Sequence, residues 1–156
     1  EKVVINTAAA EDPDFISRAA GEFGSSTIVV CVDVKKKIFG GEHTFIFSGS
    51  KSTSYNPVSF ARLMQEKGAG EIIVQSIEHD GMMEGYNTDL VSRISNAVTI
   101  PVVACSGAGK AVHLKEAVEK ANASAVAAGS MFVYHGPRRA VLINYPTQQE
   151  IRDLFK

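Results

Sequence analysis

One carboxylate stands out because it lies inside an apolar run of the sequence. Asp33 belongs to the segment Val29–Val34, in which every other residue is valine or cysteine. Burying a carboxylate there is costly unless it is paired or performs chemistry, and partial desolvation raises a carboxyl pKa toward the range of a general acid or base. The alternative is a structural aspartate that pairs with Lys35 or caps a loop. We expect Asp33 to transfer protons.

Loops of small residues follow two other apolar runs. Ser106–Lys110 reads Ser-Gly-Ala-Gly-Lys and leads directly into a helical pattern, and Ala128–Ser130 reads Ala-Gly-Ser. Glycine allows backbone N–H groups to approach an anion closely, and a helix N-terminus attracts negative charge. The first loop is not a Walker motif, because its spacing is too short and no Ser or Thr follows the lysine. Two such loops together predict a phosphate site.

Two further polar segments follow apolar runs. Asn6-Thr7 can present a hydroxyl and backbone N–H groups to an anion, although the spacing alone favours an ordinary strand-to-helix turn. Asp80-Gly81 has the turn chemistry that directs backbone amides toward a phosphate. The neighbouring His79 is explained more simply as a solvated loop residue than as a metal ligand.

The runs that precede these residues are continuous rather than alternating, which is typical of parallel strands buried on both faces. In such sheets chemistry lies at the carboxyl ends of the strands, which is where the candidate residues fall. Five strands are predicted, over Val3–Ile5, Thr27–Val34, Glu71–Ile77, Pro101–Cys105 and Ala123–Val133.

Helical patterns with start and stop signals separate the strands. Five helices are predicted: from Asp12-Pro13 to Gly24, from Asn56-Pro57 to Gly68, from Asn87 or Thr88 through Val98, from Lys110 to Asn122 with His113 exposed at its middle, and from the Thr147–Glu150 capping box onward. The stretch Ile38–Thr53 predicts a β-hairpin around Gly40-Gly41. Repeated βα units without a linker indicate one α/β domain over residues 1–156, either an open doubly wound sheet or a (β/α)8 barrel.

The composition excludes several classes of protein. The 156 residues suffice for one domain, and 16 Lys and Arg against 17 Asp and Glu leave a formal net charge of −1. That balance argues against a nucleic-acid or membrane-surface binder, and no apolar run approaches the ~20 residues of a membrane span. Cys31 and Cys105 lie in apolar runs, which predicts packing thiols in a reducing, cytoplasmic compartment.

Several motifs together resemble one known family. They are Val3–Ala9, Gly68–Ile72, Asp80-Gly81 with Gly85-Tyr86, Ser106–Lys110 and Ala127–Ser130. In this order, and over nearly the whole chain, they resemble the cyclase subunit of imidazole glycerol phosphate synthase, a (β/α)8 barrel. The resemblance implies that the chain covers the fourth to eighth strands. It also implies a phosphorylated small-molecule substrate, a glutaminase partner that supplies ammonia, and no metal or organic cofactor.

The same resemblance implies a role for individual residues. Asp33 matches the catalytic carboxylate on the family's fifth strand, and Asn6 and Thr7 match one phosphate site. Lys2 and Glu71 match charged residues at the gate where ammonia enters the barrel. The second phosphate site comprises residues from three loops: Asp80, Gly81, Gly107, Ala108, Gly129 and Ser130.

Three segments depart from the family's usual pattern. Cys105-Ser106 stands where Ser-Gly is usual, Glu78 replaces an aspartate, and the tail His135–Pro146 resembles a paralogous branch. That branch supplies ammonia for the amidination of a surface-polysaccharide sugar, which is the first alternative function. The second is a non-catalytic, phosphate-binding half-barrel. Because the chain begins at Glu1 without a Met, we expect it to be a segment of a longer protein whose open sheet edges favour self-association.

Overall fold

The computed structural model describes residues 1–37 and 40–156. Its main sheet contains five parallel strands, whose spatial order is also their order along the chain. In a doubly wound sheet the strand order reverses at a switch point, whereas a (β/α)8 barrel is wound without reversal. The fold is therefore part of a (β/α)8 barrel. The strands are β1 (Val3–Ile5), β2 (Ile28–Lys37), β5 (Glu71–Ser76), β6 (Val102–Cys105) and β7 (Ala125–Val126).

The helices begin close to the predicted start signals. The Asn56 side chain accepts hydrogen bonds from Val58 N and Ser59 N, Asn87 accepts one from Leu90 N, and Thr147 forms the predicted capping box with its partner. Asp12 takes the predicted N-cap position. Its carboxylate, however, pairs with Arg18 and forms no capping hydrogen bond. The helices are α1 (Thr7–Glu11), α2 (Pro13–Phe23), α3 (Pro57–Glu66), α4 (Thr88–Ser95), α5 (Ala111–Ala121), α6 (Ser130–Val133) and α7 (Gln148–Leu154).

The hydrophobic core lies between one face of the sheet and helices α2 to α5. Alternate strand residues such as Val30, Val32 and Ile72 pack there against Phe60 and Leu90, and all five are fully buried. Because side chains alternate along a strand, the intervening residues point to the opposite face, which we call the inner face. Its members include Val29, Cys31, Asp33, Ile73, Gln75, Val103 and Cys105.

The predicted β-hairpin is present, but its first arm belongs to the second strand. Strand β2 continues to Lys37, and its second half, from Asp33 onward, pairs antiparallel with β3 (Gly41–Ile46). Strand β3 pairs in turn with β4 (Lys51–Ser52). Ile38 and Phe39, at which the predicted hairpin begins, lie outside the described residues.

The prediction of a long strand over Ala123–Val133 was wrong. Strand β7 has two residues, Ser130–Val133 is the helix α6, and a separate hairpin joins β8 (Tyr134–His135) to β9 (Ala140–Val141). The run has four alanines and a Gly-Ser pair but only two β-branched residues, Val126 and Val133, and among the described residues its strand pairs on one side only. Its apolar character thus came from small residues that build a loop.

Part of the apolar surface is uncovered. Val3 and Val4 on β1 and Phe23 at the end of α2 are each more than half exposed. The predicted self-association stays a prediction, and this surface is where it would form. Among the described residues, no helix is long and apolar enough to cross a membrane.

Candidate active site

A cavity of about 390 Å³ lies at the carboxyl ends of β5, β6 and β7. Loops that follow these three strands form its wall, together with the strand residues Gln75 and Cys105. The structure brings together all six residues of the second predicted phosphate site: Asp80, Gly81, Gly107, Ala108, Gly129 and Ser130. Their role in binding phosphate stays a prediction.

Close backbone contacts hold these loops around the cavity. Gly85 N donates a hydrogen bond of 2.8 Å to Gly107 O, and Gly107 has a φ of +105°. A Cβ atom on Gly107 would lie 2.1 Å from Gly85 O, and one on Gly109 would lie 2.0 Å from Met83 O. Both positions therefore require glycine, which explains the Gly-Ala-Gly sequence independently of any ligand.

Two histidine side chains form hydrogen bonds in or next to these loops. His113 Nδ1 accepts a hydrogen bond of 3.2 Å from Gly109 N, and His79 Nδ1 lies 2.8 Å from Ser76 Oγ. The expectation that His113 is an exposed residue in the middle of a helix was wrong, because it lies half-buried in the first turn of α5. His79 is likewise half-buried rather than solvated. Among the described residues, no group of His, Cys, Asp and Glu side chains is arranged to hold a metal ion.

Asp33 lies on the inner face, next to the strand that leads into the cavity. Its register partner on β5 is Gln75, which lines the cavity and pairs in turn with Cys105 on β6. Burial raises the pKa of the Asp33 carboxyl, and the negative charge of Asp80 raises it further. Among the described residues Asp33 forms no ion pair with the exposed Lys35, so pairing with Lys35 has no contact to support it.

The Cys31 thiol is a hydrogen-bond donor rather than only a packing group. Its Sγ lies 3.2 Å from Asp33 Oδ1 and 3.9 Å from Gln75 Oε1. Burial raises the pKa of this thiol, and the carboxylate raises it further, so the thiol keeps its proton. Its hydrogen bond lowers the pKa of Asp33 and opposes the effect of burial. The spacing of two residues on one strand was the sequence signal for this pair.

Asn6 and Thr7 lie at the end of β1, where hydrogen bonds within the protein occupy their side chains. Asn6 Nδ2 donates to Cys31 O at 3.0 Å and to Phe45 O at 3.3 Å. Thr7 Oγ1 donates to Asn6 Oδ1 at 3.2 Å and accepts from Phe47 N at 3.0 Å. These bonds join the end of β1 to β2 and to the hairpin. An anion bound here would have to rely on backbone N–H groups.

Lys2 and Glu71 form an ion pair at the opposite end of the sheet. Lys2 immediately precedes β1 and Glu71 is the first residue of β5, so the pair marks the amino-terminal end of the strands. The Lys2 side chain is about half exposed, at 51%, which limits the contribution of such a pair to stability. The pair occupies the place predicted for the ammonia gate.

Ser106 was not predicted as a site residue, yet it is unusual in three ways. It lines the cavity, its φ is +74°, and its Oγ is buried without a hydrogen-bond partner among the described residues. The Ser106 hydroxyl adjoins the Cys105 thiol, whose pKa is raised by burial and lowered by hydrogen bonding from Ser106 to the thiolate form. Positive φ in a residue other than glycine costs about 1 kcal/mol or more, and an unsatisfied buried hydroxyl about 1–3 kcal/mol.

The sequence matches the family described as "Histidine biosynthesis protein" over residues 1–137. The putative imidazole glycerol phosphate synthase subunit hisF2 of Pseudomonas aeruginosa is 44% identical over 146 residues, which are 94% of this chain and 58% of that protein. The subunit HisF of Pelodictyon phaeoclathratiforme is 43% identical over 144 residues, 90% and 56% of the two chains. The putative HisF of Leptospira interrogans is 37% identical over 156 residues, 99% and 61%. The chain thus spans somewhat more than half the length of these relatives.

Proposed function

We propose that this chain, which belongs to the histidine biosynthesis protein family and to its imidazole glycerol phosphate synthase cyclase subunits, binds a phosphorylated substrate and transfers protons while ammonia adds to it. The observation that carries the proposal is the position of Asp33. Its register partner, Gln75, lines the same cavity as the six candidate phosphate-binding residues. A substrate anchored in the cavity by its phosphate can therefore reach the carboxylate.

The loops supply the binding energy for the phosphate. Backbone N–H groups around Gly107 and Gly129 favour an anion in the cavity. The carboxylate of Asp80 disfavours it, so we assign that side chain to interactions with the loop or with the substrate's hydroxyl groups. The phosphate contributes binding and orientation and takes no part in bond making.

Asp33 then accepts a proton during the reaction and returns it. When the lone pair of ammonia forms a C–N bond to a C=O carbon of the substrate, the π electrons of that C=O move to its oxygen, and the positively charged nitrogen releases a proton, which the carboxylate accepts. The carboxylic acid returns that proton to the oxygen that leaves in the following step, so the residue ends as it began. A pKa raised by burial suits this cycle, because a stronger base accepts the proton more readily.

Ammonia would enter from the other end of the strands. The Lys2–Glu71 ion pair lies there, with the Lys2 side chain about half exposed and that of Glu71 largely buried. A glutaminase that docks on this face would release ammonia toward the inner face of the sheet. This arrangement separates the source of ammonia from the phosphate cavity.

The test is ammonium-dependent formation of imidazole glycerol phosphate by the full-length protein. Ammonium chloride replaces the glutaminase, so the result does not depend on the partner. We expect product to form in proportion to free ammonia, with a rate that rises with pH as ammonium loses its proton. Absence of product from a protein that still binds inorganic phosphate would contradict the histidine-pathway substrate.

A specific observation favours a second candidate. The family match ends at residue 137, while β9 and α7 continue the chain to its end, and two relatives carry the designations hisF2 and hisF3. The second candidate supplies ammonia for amidination of a surface-polysaccharide sugar by another protein. In that case the chain would stimulate glutamine hydrolysis by its glutaminase without forming imidazole glycerol phosphate. Measuring both products in one reaction separates the two functions.

A further inference from the structure

Ser106 combines an unfavourable backbone with an unsatisfied polar atom. Its φ of +74° lies in the region that favours glycine, and the next residue, Gly107, is also in that region. The side chain is 6% exposed, and its Oγ has no partner within the described part of the chain. Buried hydroxyl groups are normally hydrogen-bonded, so this atom calls for an explanation.

The cavity is where a partner for this hydroxyl can come from. Ser106 lines it, between the inner-face residue Cys105 and the glycine-rich loop. The three staggered positions of a serine Oγ differ by rotation about a single bond. Rotation about this bond turns the hydroxyl without any movement of the backbone.

The chemistry of the cavity indicates which kind of ligand atom that is. Most of its wall is small residues and backbone around Gly107, Ala108 and Gly129, a surface suited to an anion, and among the described residues Asp80 is the one charged side chain in that wall. A phosphate group at neutral pH accepts hydrogen bonds, and a serine hydroxyl has one hydrogen to donate.

We propose that Ser106 is a ligand-binding residue whose hydroxyl donates a hydrogen bond to a phosphate oxygen of the substrate. The inference rests on the proposed function, because it assumes that the cavity holds a phosphate. It adds a second serine hydroxyl to a site that otherwise depends on the backbone and on Ser130. It also accounts for a serine at a position where glycine would be less strained.

The test compares two variants of the full chain with the wild type. Ser106→Ala keeps the Cβ and the backbone strain but removes the hydroxyl, and Ser106→Gly removes both. Titration calorimetry with inorganic phosphate should show a loss of affinity of about tenfold or more in each, as expected for one hydrogen bond to a charged group. Without phosphate, Ser106→Gly should raise Tm by about 2–4 °C, because it removes the strain and the unsatisfied oxygen.

Ser48 provides the matched control. It is a serine with a φ of +54°, it is exposed, and it does not line the cavity. Ser48→Gly should raise Tm through the same release of strain and leave the affinity for phosphate unchanged.

The outcomes separate this inference from the proposed function. If the wild type binds phosphate and both Ser106 variants bind it equally well, the hydroxyl is not a ligand and the inference is wrong, while the phosphate site stands. If the wild type does not bind phosphate at all, the proposed function loses the phosphate site on which it depends, and the inference is wrong as well. A loss of affinity in both variants, with Ser48→Gly unaffected, supports the inference.

Discussion

The two regions predicted to bind phosphate meet different surroundings in the folded chain. At the end of β1, the side chains of Asn6 and Thr7 are already hydrogen-bonded to each other and to the backbone of β2 and the hairpin. At the ends of β5, β6 and β7, three loops surround an open cavity of about 390 Å³, and the Ser106 hydroxyl has no partner among the described residues.

From this difference we expect the availability of a polar group, and not its presence, to distinguish a binding loop from a structural turn. The bonds that occupy Asn6 reach residues 25 and 39 positions away, so no local pattern reveals them. Both regions have small and polar residues after an apolar strand. We expect substitutions in the first region to change stability and substitutions in the second to change binding or catalysis.

The largest effect is expected for Asp33→Asn, which keeps the shape of the side chain but removes the proton acceptor. In the protein that contains this chain, kcat for the ammonia-dependent reaction should fall by about 10²-fold or more, as for lost acid–base catalysis. Phosphate affinity should stay unchanged, because Asp33 does not line the cavity. A variant with the wild-type kcat would show that the proton carrier is another group.

The same variant tests the electrostatics of the inner face through stability. Burial raises the pKa of Asp33 in the folded state above its unfolded value, so ionisation opposes folding as the pH rises through that range. Asp33→Asn removes this cost and should raise Tm at neutral pH. The gain should disappear at a pH below the unfolded pKa, where both forms are neutral. A Tm lowered at every pH would instead indicate that the carboxylate stabilises the fold.

Gly107→Ala should have the next largest effect, and it acts on the cavity through the backbone. The new Cβ would lie 2.1 Å from Gly85 O at a φ of +105°, so the two loops have to separate. We expect a loss of stability of about 2 kcal/mol by denaturant unfolding, together with weaker phosphate binding. Gly129→Ala is the control for stability, because its Cβ meets nothing within 4 Å and its φ is not positive. Equal destabilisation by both would contradict the role given to close loop contact.

Asn6→Asp provides the contrast at the end of β1, since a carboxylate has nearly the same shape but cannot donate to the Cys31 and Phe45 carbonyls. Losing two hydrogen bonds should cost about 1–2 kcal/mol of unfolding free energy. Binding of phosphate in the three-loop cavity should persist at a temperature where the variant is folded. If Asn6→Asp weakened phosphate binding and left stability unchanged, the end of β1 would be a binding region rather than a structural turn.

The sequence predicts well those features that depend on local chemistry. The apolar runs located β1, β2, β5 and β6, and Asn56, Asn87 and Thr147 were correctly identified as helix caps. The prediction of a strand over Ala123–Val133 was wrong because alanine and glycine are apolar without favouring a strand. The strand and helix patterns alone left a doubly wound sheet and a barrel open; the motif resemblance predicted the barrel, and the spatial order of the strands confirms it.

The residues of the site also differ in how well the sequence predicts them. Loop glycines can be read from sequence because their conformation is local, and six predicted residues line one cavity. Ser106 could not be identified, because its significance lies in a positive φ and in a missing partner rather than in its residue type. Gln75 was missed because its position beside Asp33 follows from the register of two strands 42 residues apart.

Cys31→Ala should give the smallest effect, and it tests whether the inner face tunes the proton carrier. The Cys31 thiol donates to Asp33 Oδ1 and lowers its pKa, so removing the donor should raise that pKa. The acid limb of the kcat/KM profile should therefore move to higher pH, by less than about one unit for a single weak donor. Cys31→Ser keeps a hydroxyl donor at this position and should hold the limb at or below its wild-type pH. A purely structural role for Cys31 would lower Tm in both variants without moving the limb, which makes the direction of the pH shift the decisive measurement.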